Sequence, residues 1–194
     1  PEGRIVGLIG PNGAGKTTLI NNISGLDHPT SGTIAYQGVP IHKAPPHRIA
    51  RLGIARTYQN IRLFSEMTVE RNILVGKHTQ GSRSFVASIL LAPSHFREQQ
   101  RLYEETQILL ERFDLLDVRN TLASNLPYGA QRRLEMARAL AVNPTLILLD
   151  EPTAGMNPTE TRALGEQILR LKQEGISVLV IEHRFPDYLK EKEI

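Results

Sequence analysis

Three short stretches carry residue types that could act on phosphate. "GPNGAGKT" (Gly10–Thr17) fits G-x-x-x-x-G-K-[ST] at every fixed position, and Thr18 extends the run. Gly10, Gly13 and Gly15 free the backbone to curl, so that successive N–H groups, including those around Pro11, Asn12 and Ala14, point at phosphate oxygens. Lys16 brings an ammonium to the outer phosphates, the Thr17 hydroxyl can hold Mg²⁺, and a following helix offers its positive end. "LILLDEPT" places Asp150 and Glu151 directly after an apolar run. That is the C-terminal edge of a strand, where α/β sheets bind ligands. Asp150 is expected near the Mg²⁺ held by Thr17, and Glu151 is expected to orient and deprotonate an attacking water. Alone, an acidic pair after a strand is usually a solvated strand end; a phosphate loop earlier in the chain favours the functional reading. The third stretch, "NLPYGAQRR" (Asn125–Arg133), looks like half of a nucleotide site, but Pro127 has no hydroxyl where such a site would use one.

These residues need elements to place them. "RIVGLIG" (Arg4–Gly10) reads as a buried strand running into the Gly-rich loop, and "LINNISGL" as a short helix closed near Gly25. "GTIAYQG" reads as another short strand between glycines. "APPHRIARLG" reads as a turn and a brief helix with Pro46 early and Gly53 at its end, followed by a strand at "IARTYQ". From residue 61 to 143 the pattern turns helical, in "MTVERNILVG", "REQQRLYEETQILLERFDLL" and "QRRLEMARALAV". In the second of these, Leu102, Ile108, Leu109 and Leu116 are assigned to one broad apolar stripe. "TLILLD" (Thr145–Asp150) returns to buried-strand character. The helix "PTETRALGEQILRLKQEG", with Leu164, Ile168 and Leu171 on one face and Gly175 at its end, leads to a strand in "ISVLVIEH". Strands alternating with helices argue for a parallel α/β sheet with a helical insertion.

The bulk composition narrows the function classes. A chain of 194 residues with 40% hydrophobic content suits one globular domain, with room for an inserted lobe. Cysteine is absent, which excludes disulfides and thiolate chemistry. The net charge of +3 comes from scattered residues, so no nucleic-acid surface is indicated. A membrane helix needs about 20 apolar residues, and "FVASILLA" (Phe85–Ala92) is far shorter. No signal peptide is visible. The chain starts at Pro1 without Met and is expected to be trimmed at its front.

The order "GPNGAGKTT", "TYQN", "LPYGAQRRLEMARAL", "LILLDEPTAGMNP", "VIEH" resembles the ATPase subunit of an ABC transporter over nearly the whole chain, to about Glu182–His183. The segment "GIARTYQNIRLFSEMTVERNILVG", "LPYG" and "AGMNP" look most similar to the branched-chain amino-acid transporter type. The resemblance implies an α/β P-loop NTPase (RecA-like) core, residues 1–60 and 144–194, with a parallel sheet, and an inserted α-helical subdomain, residues 61–143. It implies ATP and Mg²⁺ as cofactors. Gln59 matches the glutamine that touches Mg²⁺ or the attacking water, and His183 the switch histidine at the γ-phosphate. Gly155–Pro158 matches a segment crossing between subunits; read locally it is an Asn-Pro turn before a helix with Thr159 as N-cap. The other histidines stay unassigned.

In such a family two ATPase chains pair head to tail, each ATP lying between the phosphate loop of one and the signature segment of the other. Here that segment is Leu126, Pro127, Tyr128, Gly129, Ala130 and Gln131. Many relatives have Ser where Pro127 stands and Gln where Ala130 stands, so the contact falls to backbone N–H groups, the helix end and Gln131. The implied partners are a second ATPase subunit, integral membrane permease subunits and, indirectly, a periplasmic or extracellular solute-binding protein. The implied location is peripheral, on the cytoplasmic face of a prokaryotic inner membrane. The adenine-stacking aromatic expected upstream of the loop is not in the sequence, and "RFPDYLKEKEI" after "VIEH" does not resemble the usual continuation, so the chain is expected to be truncated at both ends, or its tail joined across missing residues. The alternative is a soluble ABC ATPase acting as an ATP-gated clamp on the ribosome or DNA. A P-loop kinase would have no use for "LPYGAQRR" before "LILLDEP".

Overall fold

A computed structural model describes residues 3–78 and 93–182; "FVASILLA", His183 and the tail "RFPDYLKEKEI" lie outside them. The chain divides into two compact units, Pro1–Ile61 with Asn143–Ile194, and Arg62–Val142.

The first unit is built on four parallel strands: β1 (Ile5–Ile9), β4 (Ile54–Arg56), β5 (Leu146–Asp150) and β6 (Ser177–Glu182), in the order β1-β6-β5-β4. Side chains alternate between the two faces of each strand. Leu148 and Ile181 point to one face and join Ile20 of α1 (Lys16–Ser24), Ile49 of α2 (Pro46–Arg51), Ile41 and Ile54 in a buried cluster. Each such side chain contributes about 1.5–3 kcal/mol relative to staying exposed. The opposite face, with Ile147, Leu149, Val178 and Val180, is left for Leu164, Ile168 and Leu171 of α6 (Pro158–Gln173), the helix packed on β6.

Two expectations change here. β1 is not a buried strand: Val6 and Ile9 are 45% and 43% exposed. Among the described residues it is an edge strand with β6 as its one neighbour, so only part of its surface is covered. "GTIAYQG" is not one strand either. β2 (Ala35–Tyr36) pairs antiparallel with β3 (Val39–Pro40) across Gln37 and Gly38, whose φ values are 48° and 78°. Two successive positive φ angles make the mirror-image turn whose twist suits a tight hairpin.

The second unit holds α3 (Val69–His78), α4 (Pro93–Arg112) and α5 (Tyr128–Leu140), with 3₁₀ turns at Leu116–Val118 and Ala123–Asn125. Its core includes Val69, Ile73, Leu110, Phe113, Leu115 and Leu134. Ile108 leaves the expected stripe: it is 63% exposed, while Thr106, Leu109, Leu110 and Phe113 are buried. At about 100° per residue, Ile108 lies a quarter-turn away from Leu109 and outside the arc shared by Leu102, Thr106, Leu109 and Phe113. Asn72 is fully buried. Its amide donates to the carbonyls of Phe64, Met67 and Thr68 at 3.1, 3.3 and 3.0 Å, and its oxygen accepts from the Phe64 N–H at 2.9 Å. Lys77, also buried, donates to Glu105 at 2.8 Å, and Arg101 meets the same carboxylate at 2.7 Å. The Lys77 hydrogen bond first, then that of Arg101, holds the Glu105 carboxyl below its ordinary value near 4.5. This contribution to stability is complete above that value and is lost as pH falls through the lowered one.

Gly76 of α3 packs directly on the end of α5. A Cβ there would lie 2.8 Å from Ala141 Cβ and 2.9 Å from the Arg138 carbonyl oxygen. Gly76→Ala is therefore expected to destabilise by about 1–3 kcal/mol despite the better helix propensity of alanine. At Gly7 a Cβ meets nothing within 4 Å, so Gly7→Ala should leave the urea midpoint near that of the parent; equal midpoints for both variants would refute the crowding.

Candidate functional site

Parallel strands bring their C-terminal ends to one edge, and that edge collects the first unit's candidate residues. Ile9 of β1 leads into the Gly10–Gly15 loop, where Gly13 and Gly15 adopt φ of 81° and 83° and the Ala14 N–H turns back to the Pro11 carbonyl at 3.3 Å. These φ values are open to glycine at little steric cost. Gly15 is the N-cap of α1 and brings no side-chain cap, so the helix N-terminal N–H groups face the loop without a competing side chain. Lys16 is buried, its Nζ donating to the Gly10 and Pro11 carbonyls at 2.5 and 3.0 Å. Asn12, Gly13, Ala14, Gly15, Lys16, Thr17 and Thr18 line a cavity of about 400 Å³, and its opposite lining is Gln59 and Glu151.

Gln59 and Glu151 touch: Gln59 Nε2 donates to Glu151 Oε2 at 3.0 Å. Glu151 holds its backbone at φ 49°, fixed by its own N–H donating to the Ile181 carbonyl at 3.1 Å. The left-handed region is uncommon for a residue with a Cβ, and such strain gathers at functional sites. Asp150 does not line the cavity. It is 2% exposed, and its Oδ2 accepts from Arg56 at 3.1 Å. Thr153 Oγ1 donates to Glu182 Oε1 at 2.9 Å, joining the loop after β5 to the end of β6. In Gly155–Pro158, Gly155 has φ 76°. The N-cap of α6 is Asn157, not the expected Thr159: Asn157 accepts from the Glu160 N–H at 2.9 Å while Glu160 accepts from the Asn157 N–H at 3.0 Å. Pro158, with φ already helical, takes the first helical position and sets the cap at Asn157, two residues before Thr159.

The segment Leu126–Gln131 lies in the second unit, at the start of α5. Pro127 is the N-cap, without a side-chain cap, and Gly129 and Ala130 are buried. Leu126 is buried, while Tyr128 is 44% exposed with its hydroxyl accepting from Arg132 Nε at 3.2 Å. Gln131 Nε2 donates to the Leu126 carbonyl at 2.9 Å, so this amide nitrogen is engaged within its own segment. Arg132 pairs with Glu135 at 3.1 Å, both nearly fully buried. His183 lies outside the described residues. Sequence reasoning missed Arg56: it read "IARTYQ" as a strand, and nothing local marks the charge that reaches Asp150.

The ABC transporter family model matches residues 1–154. The chain is 46% identical over 180 residues to the high-affinity branched-chain amino acid transport ATP-binding protein LivG of Escherichia coli (strain K12), covering 92% of this chain and 71% of that protein. Among solved structures it resembles the ADP conformation of MJ1267, an ATP-binding cassette of an ABC transporter, with a TM-score of 0.80 at 34% identity over 97% of this chain and 73% of that one. The dimeric post-hydrolysis state of the ATP-binding cassette MJ0796, bound to ADP and Pi, matches with a TM-score of 0.78 at 26% identity, over 95% and 76% of the two chains.

The backbone of Glu151 yields a direct check. At a left-handed position glycine should be favoured over alanine by about 1–2 kcal/mol, the reverse of the usual order. Glu151→Gly is expected to unfold at higher urea than Glu151→Ala; the opposite ranking would remove the claim of strain.

Proposed function

The chain belongs to the ABC transporter family and is an ATP-binding, ATP-hydrolysing protein; from that premise we propose that it powers uptake of branched-chain amino acids through a membrane-embedded permease. The cavity between the phosphate loop and the Gln59–Glu151 pair carries the site reading, and the likeness to LivG supports the solute and favours transport over a clamp on ribosome or DNA. In this reading Lys16 and the loop N–H groups hold the phosphates of ATP and stabilise the charge that develops on them. Glu151 takes the proton of the attacking water, and Gln59 orients the Glu151 carboxylate until the substrate arrives. His183 contacts the γ-phosphate.

The donor set fits Mg²⁺. Thr17 and Gln59 offer uncharged oxygens at the cavity and Asp150 is a carboxylate one residue before the cavity-lining Glu151, and this hard cation is bound by oxygen, through one or two carboxylates together with substrate phosphates. Among the described residues no group of three or more His, Cys, Asp or Glu side chains could hold a metal alone, and the phosphates of ATP would supply further oxygens. Bound there, Mg²⁺ would neutralise phosphate charge.

Two copies, or this chain and a related one, pair head to tail, supported by the dimeric MJ0796 cassette. In that pairing the start of α5 presents its backbone N–H groups to the ATP of the other copy. No helix among the described residues is long and apolar enough to cross a membrane, and the protein works as a peripheral subunit on the cytoplasmic face of the inner membrane.

Glu151→Gln tests the chemistry. It should keep ATP binding, lose about 100-fold or more in turnover, and elute as an ATP-dependent dimer on size exclusion. Hydrolysis near the parental rate would show that Glu151 is not the base. Co-purification with an apolar permease supports transport, whereas tight ribosome or DNA binding without a membrane partner refutes it.

A further inference from the structure

Arg56 stands where three elements of the phosphate site meet. From the end of β4 its guanidinium donates through one terminal nitrogen to Asn21 Oδ1 at 2.8 Å and Ser24 Oγ at 2.9 Å. The other terminal nitrogen donates to Asp150 Oδ2 at 3.1 Å. The Arg56 and Asp150 side chains are 8% and 3% exposed, and the guanidinium lies 4.9 Å from the centre of the Tyr58 ring. Its Nε is buried and makes no hydrogen bond. The side chain thus keeps a desolvated donor unpaired while holding its terminal nitrogens on three partners, an arrangement that calls for an explanation.

The partners supply one. Asn21 and Ser24 follow Thr17 by four and seven residues on α1, so the three side chains form one stripe along that helix. Arg56 binds the lower two members of the stripe, and the same guanidinium binds Asp150. The hydroxyl of Thr17 and the carboxylate of Asp150, which belong to a helix and a strand far apart in sequence, are therefore referred to a single rigid fork. We infer that Arg56 is a positioning residue for the divalent cation of the phosphate site, fixing the Asp150 carboxylate relative to the Thr17 hydroxyl. This rests on the reading that Thr17 and Asp150 hold Mg²⁺.

The sign of the effect separates positioning from simple charge. Were Arg56 only a positive charge beside the cation, its removal would tighten Mg²⁺ binding by relieving repulsion. As a clamp its loss weakens binding, because the carboxylate is no longer held in the required orientation; loss of a partner that orients a metal ligand typically lowers metal affinity about 10- to 100-fold. Lysine keeps the charge but has no planar fork to span Asn21, Ser24 and Asp150 together.

The test is a Mg²⁺ titration of the full chain with trinitrophenyl-ATP, reading the half-saturating Mg²⁺ concentration, with nucleotide affinity in EDTA and a thermal melt measured alongside. Arg56→Met is expected to raise the half-saturating Mg²⁺ about 10- to 100-fold. Arg56→Lys should fall between it and the parent, and the affinity in EDTA should stay at the parental value. A half-point unchanged or lowered in either variant, with the melt intact, overturns the inference. Should Arg56→Met fail to fold, Arg56→Lys decides alone. Asp150→Asn distinguishes the two levels: if it shifts while the Arg56 variants do not, only the positioning role falls. If Asp150→Asn itself keeps the parental Mg²⁺ response, the cation site falls and the inference with it.

Discussion

Four strands running in one direction must end at one edge, and much of the first unit follows from that constraint. Parallel pairing leaves no tight hairpin between neighbours, so each connection has to cross the sheet and return. The crossings supply α1 and α6, and these cover the two faces that alternation leaves apolar. The returns leave the phosphate loop, the segment with Gln59, Asp150 and Glu151 where β5 ends, and Glu182 at the end of β6 side by side. Residues separated by more than ninety positions in the chain become hydrogen-bonded partners, as Gln59 and Glu151 do.

Beneath this edge some of the charge is shielded from water. Asp150 and Arg56 are buried together, and neither would be stable there without the other, because breaking a buried pair leaves one charge uncompensated. Lys16 meets the same problem by resting on two carbonyls of its own loop. Glu151 differs in being only half-buried, with its backbone held away from the common regions. The site is thus assembled from groups fixed before substrate arrives, as catalysis by positioning requires.

What the sequence discloses depends on how local the physics is. The phosphate loop is legible because its glycines and lysine must stand at set distances along the chain, and β5 because four apolar residues precede Asp150. The 3.6-residue repeat places Leu164, Ile168 and Leu171 correctly, yet the same rule applied loosely admitted Ile108, a quarter-turn out. The hairpin at Gln37–Gly38 escaped because glutamine is not a usual turn residue, although it adopts a positive φ here. The cap at Asn157 is legible too, since Asn157 and Glu160 stand three apart as a capping box requires. Arg56 was out of reach: its partners lie 35, 32 and 94 residues away, and no window along the chain contains them. The partial exposure of β1 depends likewise on how many strands flank it, which composition does not encode.

In the second unit, one buried amide ties a loop to the helix that follows it, beside the backbone hydrogen bonds the loop accepts from Ala123 and Ser124. Asn72 belongs to α3, yet its four hydrogen bonds go to the backbone of Phe64, Met67 and Thr68. The N–H of Phe64 is satisfied by a side chain rather than by a strand or a helical turn. Solvent can reach that N–H only when Asn72 withdraws, and Asn72 is anchored in a helix whose neighbours Val69 and Ile73 are fully buried. The amide of a surface loop, carrying a ring 44% exposed, therefore shares the opening free energy of a core helix rather than the near-zero value typical of loops. Rigidity in this segment is drawn from α3 through that carboxamide as well as from the backbone hydrogen bonds that Ala123 and Ser124 donate to Met67 and Ser65.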